Sequence, residues 1–445
     1  MVLFSAKAAS AGWNCSQGCG AKVSISDEAV DGTVPDRFRK TLGSNLDSLR
    51  VHNLSTILTR IHHDGPLYRS DLAAASGLNR STITILVNEL IDRGLVVEAN
   101  GSDEGSKKSV GRPSMSLHPS GRILAIAVNP EIDAITVGVV SLGGQLQRTI
   151  RYETDEAPTM RRAVKITKAI IEGIQAMLPA DARIVGIGVA VPGLTDDIDG
   201  SVALAPHLGW RQEPLARVLA EETGLPVWAA NDAHLGVLAE TVFGGGAHVG
   251  STLYLNGGAS GIGGGVVSGG IMLKGAMGFA GELGHFRIRS GGKRDSAGLQ
   301  GTLESEVSRD DLLRSLGLEG RDVLRLDEVL AAPRSPEAQD EIDRQVRALG
   351  TALGSMVTIF NPDLIVLGGF LGSLLDAEPE RLRRVVAQES LAPQYAAVKI
   401  RRPELRDNIL LVGAAELAFG ALLRDPTGYD VVAESSLLPV ASVEM

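Results

Sequence analysis

Arg80, Ser81, Thr82, Thr84 and Asn88 are interleaved with Ile83, Leu86, Val87 and Leu90, which recur at helical spacing. A helix that buries the apolar set presents Arg80, Ser81, Thr84 and Asn88 on its opposite face, with Thr82 beside them. Short hydrogen-bonding side chains and one guanidinium suit base edges and phosphates in a DNA major groove. Lys107, Lys108 and Arg112 follow in a Gly- and Ser-rich loop with no acidic residue from 105 to 112. Such a loop can follow phosphates or reach into a minor groove. An ordinary solvated helix face and a solvated loop would carry similar residues. The order of the surrounding elements decides between the two.

Val51, Leu54, Leu58 and Ile61 mark a first helix, which Gly65-Pro66 breaks. Ser70 is expected to cap a short second helix through Leu72 and Ala73 to Ser76, closed by Gly77. The third helix runs from about Arg80 to Gly94. Leu95-Val96-Val97 is β-prone, the loop spans Asn100 to Pro113, and Met115 to Leu117 can return as a second strand. Helix, helix, turn, helix, hairpin is the order of a winged helix-turn-helix, assigned to residues 46–120. Its expected partner is a double-stranded DNA operator.

A chain of 445 residues exceeds one ordinary core, so two or three domains are expected. Residues 1–45 show no sustained periodicity and read as a disordered lead-in, and 426–445 as a loose tail. Cys15 and Cys19, close together and without histidine partners, make neither a convincing metal site nor a disulfide framework. With no convincing signal peptide, the expected compartment is a reducing cytoplasm. No apolar run approaches the roughly 18 residues that span a bilayer, so no membrane partner is expected. Residues 46–120 hold 8 Lys/Arg and 8 Asp/Glu, so the remainder carries the whole net charge of −10. A neutral reader with locally placed cations is compatible with DNA, although overall charge gives no positive support.

Residues 121–425 read as an α/β domain. Ile123–Val128 and Ile135–Val140 form a strand pair, Arg162–Leu178 a helix, Ile184–Val191 a buried strand, Leu215–Glu222 a helix and Val227–Ala230 a strand. Within the Gly-rich stretch 244–284 lie the strands Ser251–Leu255 and Gly264–Val267. A long helix over Asp340–Phe360, the strand Leu364–Leu367 and a closing helix over Gly413–Leu423 complete the pattern.

Four stretches of this domain carry a resemblance. Val191-Pro192-Gly193, Ala205-Pro206-His207-Leu208-Gly209-Trp210, Asn231-Asp232-Ala233 and the run from Gly275 to His285 come in the order of the ROK family of repressors and sugar kinases. The specific part is Gly278-Phe279-Ala280-Gly281-Glu282-Leu283-Gly284-His285; an isolated Asn-Asp is more often a turn. The resemblance covers about residues 48–425. It implies a two-lobed actin-like ATPase (ribonuclease H-like) domain behind the winged helix, with sugar in the cleft. It implies also that Asn231, Asp232, Glu282, His285 and Glu304 hydrogen-bond sugar hydroxyls, which suits carboxylates that accept and an amide that does both. Gly193 is expected to let backbone approach the ligand. His207 stands where the family usually has Asn, a departure that bears on which sugar is preferred.

Two further departures separate repressor from kinase. The family's kinases carry Asp-x-Gly-Gly-Thr after the first strand, where backbone N–H groups surround phosphate. Here Asn129, Glu131, Ile132 and Asp133 hold those positions. Like charges about 4 Å apart repel by roughly 4 kcal/mol at an effective dielectric of 20, so strong ATP binding is not expected. Gly257–Gly265 and Gly368-Gly369 survive, but such glycines also serve packing and turns. The family's zinc is held by its histidine and three cysteines, whose positions are here Asp295, Ala297 and Thr302, although Gly298, Gly301, Leu303 and Glu304 fit the frame. One histidine and one carboxylate do not close a tetrahedral site, so zinc is expected absent and His285 to lose its metal support.

The expected protein is a DNA-binding repressor of carbohydrate genes, controlled by a sugar or sugar phosphate, acting as a homodimer or homotetramer and having no cofactor. No catalytic residue is assigned, although Asp232 matches the kinases' general base. The alternatives are an active sugar kinase with a DNA-binding appendage, and an activator or sugar-independent architectural DNA binder.

Overall fold

The computed structural model describes residues 46–100, 115–247, 249–319, 322 and 325–428. The described residues from Leu46 onward form one compact unit. It begins with α1 (Leu46–Asp64), α2 (Arg69–Ser76) and α3 (Arg80–Asp92), followed by β1 (Val96–Asn100), antiparallel to β2 (Met115–Pro119). Leu54, Ile57, Leu58 and Ile61 of α1 are fully buried against Ile83, Val87 and Leu90 of α3. Ser70 does not cap α2. The chain enters in extended conformation at Tyr68, whose N–H donates to the Asp71 carboxylate at 2.9 Å, and Ser70 lies exposed within the first turn. The reciprocating acid at the third helical position supplies the cap that the serine was expected to provide. Gly77 closes the helix at φ 72° as expected, where a side chain would be strained. Asn79 caps α3, accepting from the Thr82 N–H at 2.8 Å.

The first lobe contains β3 (Ile123–Pro130), β4 (Ala134–Ser141), β5 (Gln145–Glu153), α4 (Met160–Gln175) and β6 (Arg183–Val191). It continues through β7 (Leu194–Thr195), β8 (Val202–Ala205), β9 (Trp210–Glu213), α5 (Leu215–Thr223), β10 (Val227–Asn231) and α6 (Asp232–Phe243). Its main sheet has the order β10-β6-β3-β4-β5, with β6 parallel to both β3 and β10. Every residue of β3 is buried, as a central strand requires. The edge strand β5 is not among the elements expected from the sequence: none of its residues is buried, and its apolar positions Leu146, Ile150 and Tyr152 are interrupted by Arg148.

The second lobe contains β11 (Ser251–Gly258), β12 (Gly261–Ser268), β13 (Ile271–Met272), α7 (Leu303–Glu306), α8 (Arg309–Ser315), α9 (Leu326–Ala331) and α10 (Pro336–Phe360). β14 (Leu364–Gly369), α11 (Phe370–Ala377), α12 (Pro379–Gln388), α13 (Ala392–Ala397) and β15 (Lys399–Arg401) complete it. The sheet order is β13-β12-β11-β14-β15. The last helix, α14 (Ile409–Arg424), returns to the first lobe. It packs so closely on β6 that a Cβ on Gly188 would overlap the Ala414 carbonyl. Its other face meets the winged helix, and Leu54, Leu58 and Leu90 share one core with Phe419 and Leu422.

Candidate functional site

The two sheets face a cavity of about 180 Å³ whose lining includes Gly193, Asn231, Asp232, Glu282, His285 and Glu304. The parallel strand β10 ends on Asn231 and α6 begins on Asp232, so both lie at the carboxyl end of a strand, the usual ligand position of such sheets. Asn231 also caps α6: its Oδ1 accepts from the His234 N–H at 3.0 Å, and its Nδ2 donates to the Gly193 carbonyl at 3.1 Å. Asp232 Oδ1 accepts from the Ala233 N–H at 2.7 Å, and Asn256 Nδ2 lies 3.4 Å from Oδ2. Burial dominates and lifts the Asp232 carboxyl to about 7, assisted by the nearby Glu131 and Glu282 and opposed by those two donors.

Gly193 lines the cavity. A Cβ there would lie 2.5 Å from the Leu204 carbonyl oxygen, so the glycine lets the turn press against β8. Gly261, at φ 88°, is the glycine that makes room in the cavity, since a Cβ would run into the Glu304 carboxylate.

Glu304 is held at several points. It accepts from the Ile262 N–H at 3.1 Å, from the Ser296 hydroxyl at 2.7 Å, and lies 3.2 Å from His207 Nε2. Burial alone would raise its pKa; the hydrogen bonds from His207 and Ser296 win and bring it to about 2. The Glu282 carboxylate accepts no protein hydrogen bond among the described residues, and burial pushes its pKa up. The cavity therefore offers one firmly ionised acceptor, Glu304, and two carboxyls, Asp232 and Glu282, that a sugar hydroxyl would favour in the charged form.

His285 has a support that the sequence did not point to. Its Nδ1 lies 2.9 Å from Oδ2 of Asp295, whose side chain is wholly buried. Asp295 also accepts from Thr302 Oγ1 at 2.9 Å and from the backbone N–H groups of Ala297 and Leu299 at 3.0 and 2.8 Å. Two of the three positions that hold cysteine in the family thus hydrogen-bond each other, and a carboxylate orients the imidazole in place of a metal. Every contact of the Asp295 carboxylate points inward to this loop, which fits a zinc ion poorly.

His207, Asn256, Ser296 and Glu131 also line the cavity. Only His207 and Glu131 stood out in the sequence, both as departures; Asn256 and Ser296 belong to no motif. On the β3–β4 turn, where the family's phosphate loop would lie, Glu131 and Asp133 do not face one another unrelieved. Arg151 lies 3.8 Å from Glu131 and 3.3 Å from Asp133, and Arg309 of the other lobe lies 3.5 Å from Asp133. Burial, with Asp133 second, raises the Glu131 pKa. Asn129 is buried on β3, and Ile132 stays partly buried in the turn.

On α3, Arg80, Ser81, Thr84 and Asn88 are exposed together, and Thr82 is half-buried beside them. Asn88 Oδ1 accepts from Arg69 Nη2 at 3.1 Å, so α2 steadies one member of the set. Ile85, 67% exposed, lies on the same face and was missed; an apolar side chain out of phase with a buried stripe is the available signal, and thymine methyls are its natural partner. Lys107, Lys108 and Arg112, like Cys15 and Cys19, lie outside the described residues. Replacing Arg80 with alanine is expected to weaken binding to a selected duplex by about 1–3 kcal/mol; unchanged affinity in a gel-shift titration at fixed salt would remove it from the interface.

Comparison with known proteins agrees with this architecture. Residues 126–421 match the ROK family model and residues 53–98 the MarR family model. The putative xylose repressor of Caldicellulosiruptor sp. (strain Rt8B.4) is 30% identical over 406 residues, spanning 86% of this chain and 99% of its own length. The crystal structure of a ROK family transcriptional regulator, homolog of the E. coli MLC protein, matches with a TM-score of 0.67 at 25% identity, covering 84% of this chain and 97% of that one. A ROK family glucokinase from Streptomyces griseus, in complex with glucose and AMPPNP, matches at TM-score 0.58 and 26% identity, covering 98% of its own chain but 66% of this one. With two thirds of its length in the family's fold and a MarR-type reader ahead of it, this chain belongs to the ROK family.

Proposed function

We propose that the chain is a sugar-responsive transcriptional repressor, with a monosaccharide or its phosphate as effector. The observation that carries this reading is the joining of an exposed polar face on α3 to a cavity that gathers Gly193, Asn231, Asp232, Glu282, His285 and Glu304. Similarity to a putative xylose repressor over 86% of this chain supports it. Arg80, Ser81, Thr82, Thr84 and Asn88 read the operator, while Lys107, Lys108 and Arg112 hold phosphates. A homodimer or homotetramer presents two such readers to a near-palindromic site. Sugar favours one arrangement of the lobes and shifts the operator equilibrium by its differential affinity. Among the described residues no helix is long and apolar enough to cross a membrane.

The cleft does not use ATP in this reading. A nucleotide phosphate would have to displace Glu131 and Asp133 from Arg151 and Arg309. The deciding experiment takes a duplex selected by the protein from a random pool and titrates it with and without D-xylose, D-glucose and their phosphates, beside a coupled ATP-consumption assay. Release of the duplex by one sugar with negligible ATP turnover is expected. Sugar-dependent ATP consumption that disappears in Asp232→Asn would instead make the chain a kinase with a DNA-binding appendage. Zinc is likewise outside this reading, because Asp295 occupies the metal's role toward His285. Elemental analysis of purified protein is expected to find no stoichiometric zinc, and one tightly held ion per chain would refute the substitution.

A further inference from the structure

A second buried cluster lies away from the cavity, where α1 of the DNA reader meets the sugar-binding domain. His62 Nε2 lies 2.6 Å from Glu416 Oε2, and His63 Nε2 lies 2.8 Å from Glu416 Oε1. One carboxylate on α14 thus grips two consecutive histidines on α1. The Gly143 N–H, in the β4–β5 turn, donates to His62 Nδ1 at 2.7 Å. That donor makes Nδ1 the acceptor, so Nε2 carries the proton and points it at Glu416. The same assignment argues against a metal among the three groups, although they lie within 4.8 Å of one another: the His62 nitrogen facing Glu416 has no free lone pair. Burial opposes the charge on Glu416, but the hydrogen bonds from His62 and His63 bring its pKa to about 2.

The cluster connects to the cavity through one helix. α6 has 12 residues, a rod of about 18 Å. Asp232 at its start lies in the cavity wall. Phe243 at its end meets His62 and His63 edge to face, with ring centroids 5.3 and 5.7 Å apart. One turn into α6, Gly413 of α14 packs so closely that a Cβ would strike the Leu235 carbonyl, and Glu416 follows about one turn later. α1 in turn grips α3: Arg50 donates to the Glu89 carboxylate at 3.0 and 2.6 Å. From sugar cavity to recognition helix the contacts form a continuous chain of rigid elements.

We infer that Glu416 is the positioning residue through which the sugar cavity sets the placement of the DNA reader, by holding His62 and His63 against the end of α6. This rests on the repressor reading above. A change in the cavity wall at Asp232 shifts α6 and α14 together, and the buried clamp passes the shift to α1, since two histidines tied to one carboxylate cannot slip past it. Without the clamp, sugar and operator still bind their own surfaces, but neither affects the other.

The test measures both affinities and their coupling in the full chain. Operator affinity is read by gel shift with and without a saturating amount of the sugar found active in the panel above, and sugar affinity by calorimetry with and without duplex. Coupling is reciprocal, so both ratios should agree in the unaltered protein and fall within the common range of about 5–150-fold. In Glu416→Gln, and independently in the milder His63→Ala, each separate affinity is expected within about threefold of the unaltered protein, while both ratios fall towards 1. Glu416→Asp, which keeps the charge, should recover part of the coupling, an outcome a purely structural role does not require. A ratio that stays full in both Glu416→Gln and His63→Ala overturns the inference and leaves the repressor reading standing. Parallel loss of sugar and operator binding with the unfolding temperature, in both variants, overturns it in favour of simple stabilisation. Loss of coupling on chelator treatment of the unaltered protein overturns it in favour of a metal. An unaltered protein whose operator affinity ignores every sugar refutes the repressor reading and the inference with it.

Discussion

Sugar binding is expected to release a proton near pH 7 and to tighten as pH rises towards that value. Asp232 is the source. In the empty cavity its carboxyl titrates at about 7, mainly because burial disfavours the charge. A sugar hydroxyl that donates to Asp232 favours the ionised form, so its pKa in the complex lies lower. Between the two values the complex holds fewer protons than the empty protein, and affinity then rises with pH by up to about tenfold per unit. Folding stability without sugar carries the opposite sign. The unfolded carboxyl loses its proton near its ordinary value of 3.8, well below the folded one. The folded state therefore holds the extra proton between about pH 4 and 7, and this group's contribution to stability falls as pH rises across that window. Calorimetry at pH 6.5 in two buffers of different ionisation enthalpy measures the proton directly. Asp232→Asn should abolish the release; proton uptake in the unaltered protein would mean that a protonated Asp232 donates to the sugar instead.

Truncating Phe419 to alanine is expected to cost about 3–5 kcal/mol of stability, the range for removing a fully buried aromatic ring. Phe419 is wholly buried in the core that α14 shares with Leu54, Leu58 and Leu90 of the DNA reader. Because that core crosses from one domain to the other, reader and first lobe should unfold in one transition, in the parent and in the variant. Denaturant unfolding followed by far-ultraviolet dichroism checks both points. A reader that melts separately, with Phe419→Ala affecting only the later transition, would contradict the shared core.

How much of this was legible beforehand depended on whether a feature is local. The apolar stripe Ile83, Leu86, Val87, Leu90 predicted α3 and its exposed face because helical periodicity is a property of consecutive residues. The run containing Glu282 and ending in His285 pointed to a cavity wall because, as a group, it resembles the ROK family's sugar-binding run. The edge strand β5 is only weakly marked by Leu146, Ile150 and Tyr152, since a strand with no buried residue needs no sustained alternation, only a neighbour to pair with.

The sequence by itself determined the reader and the α/β order behind it. Through its resemblance to the ROK family it implied the six residues that meet at the cavity and the replacement of the family's cysteines by Asp295, Ala297 and Thr302. Only the tertiary structure decided what the replacements do. It brought Asp295 to His285, Arg309 from the other lobe to Asp133, and Glu416 to two histidines more than 350 positions earlier. Each of these is a charge whose meaning depends on its partner: an unpaired buried carboxylate is costly, a paired one holds two elements together. Partners far apart in the chain leave no periodic trace in sequence, because chain folding and not spacing selects them.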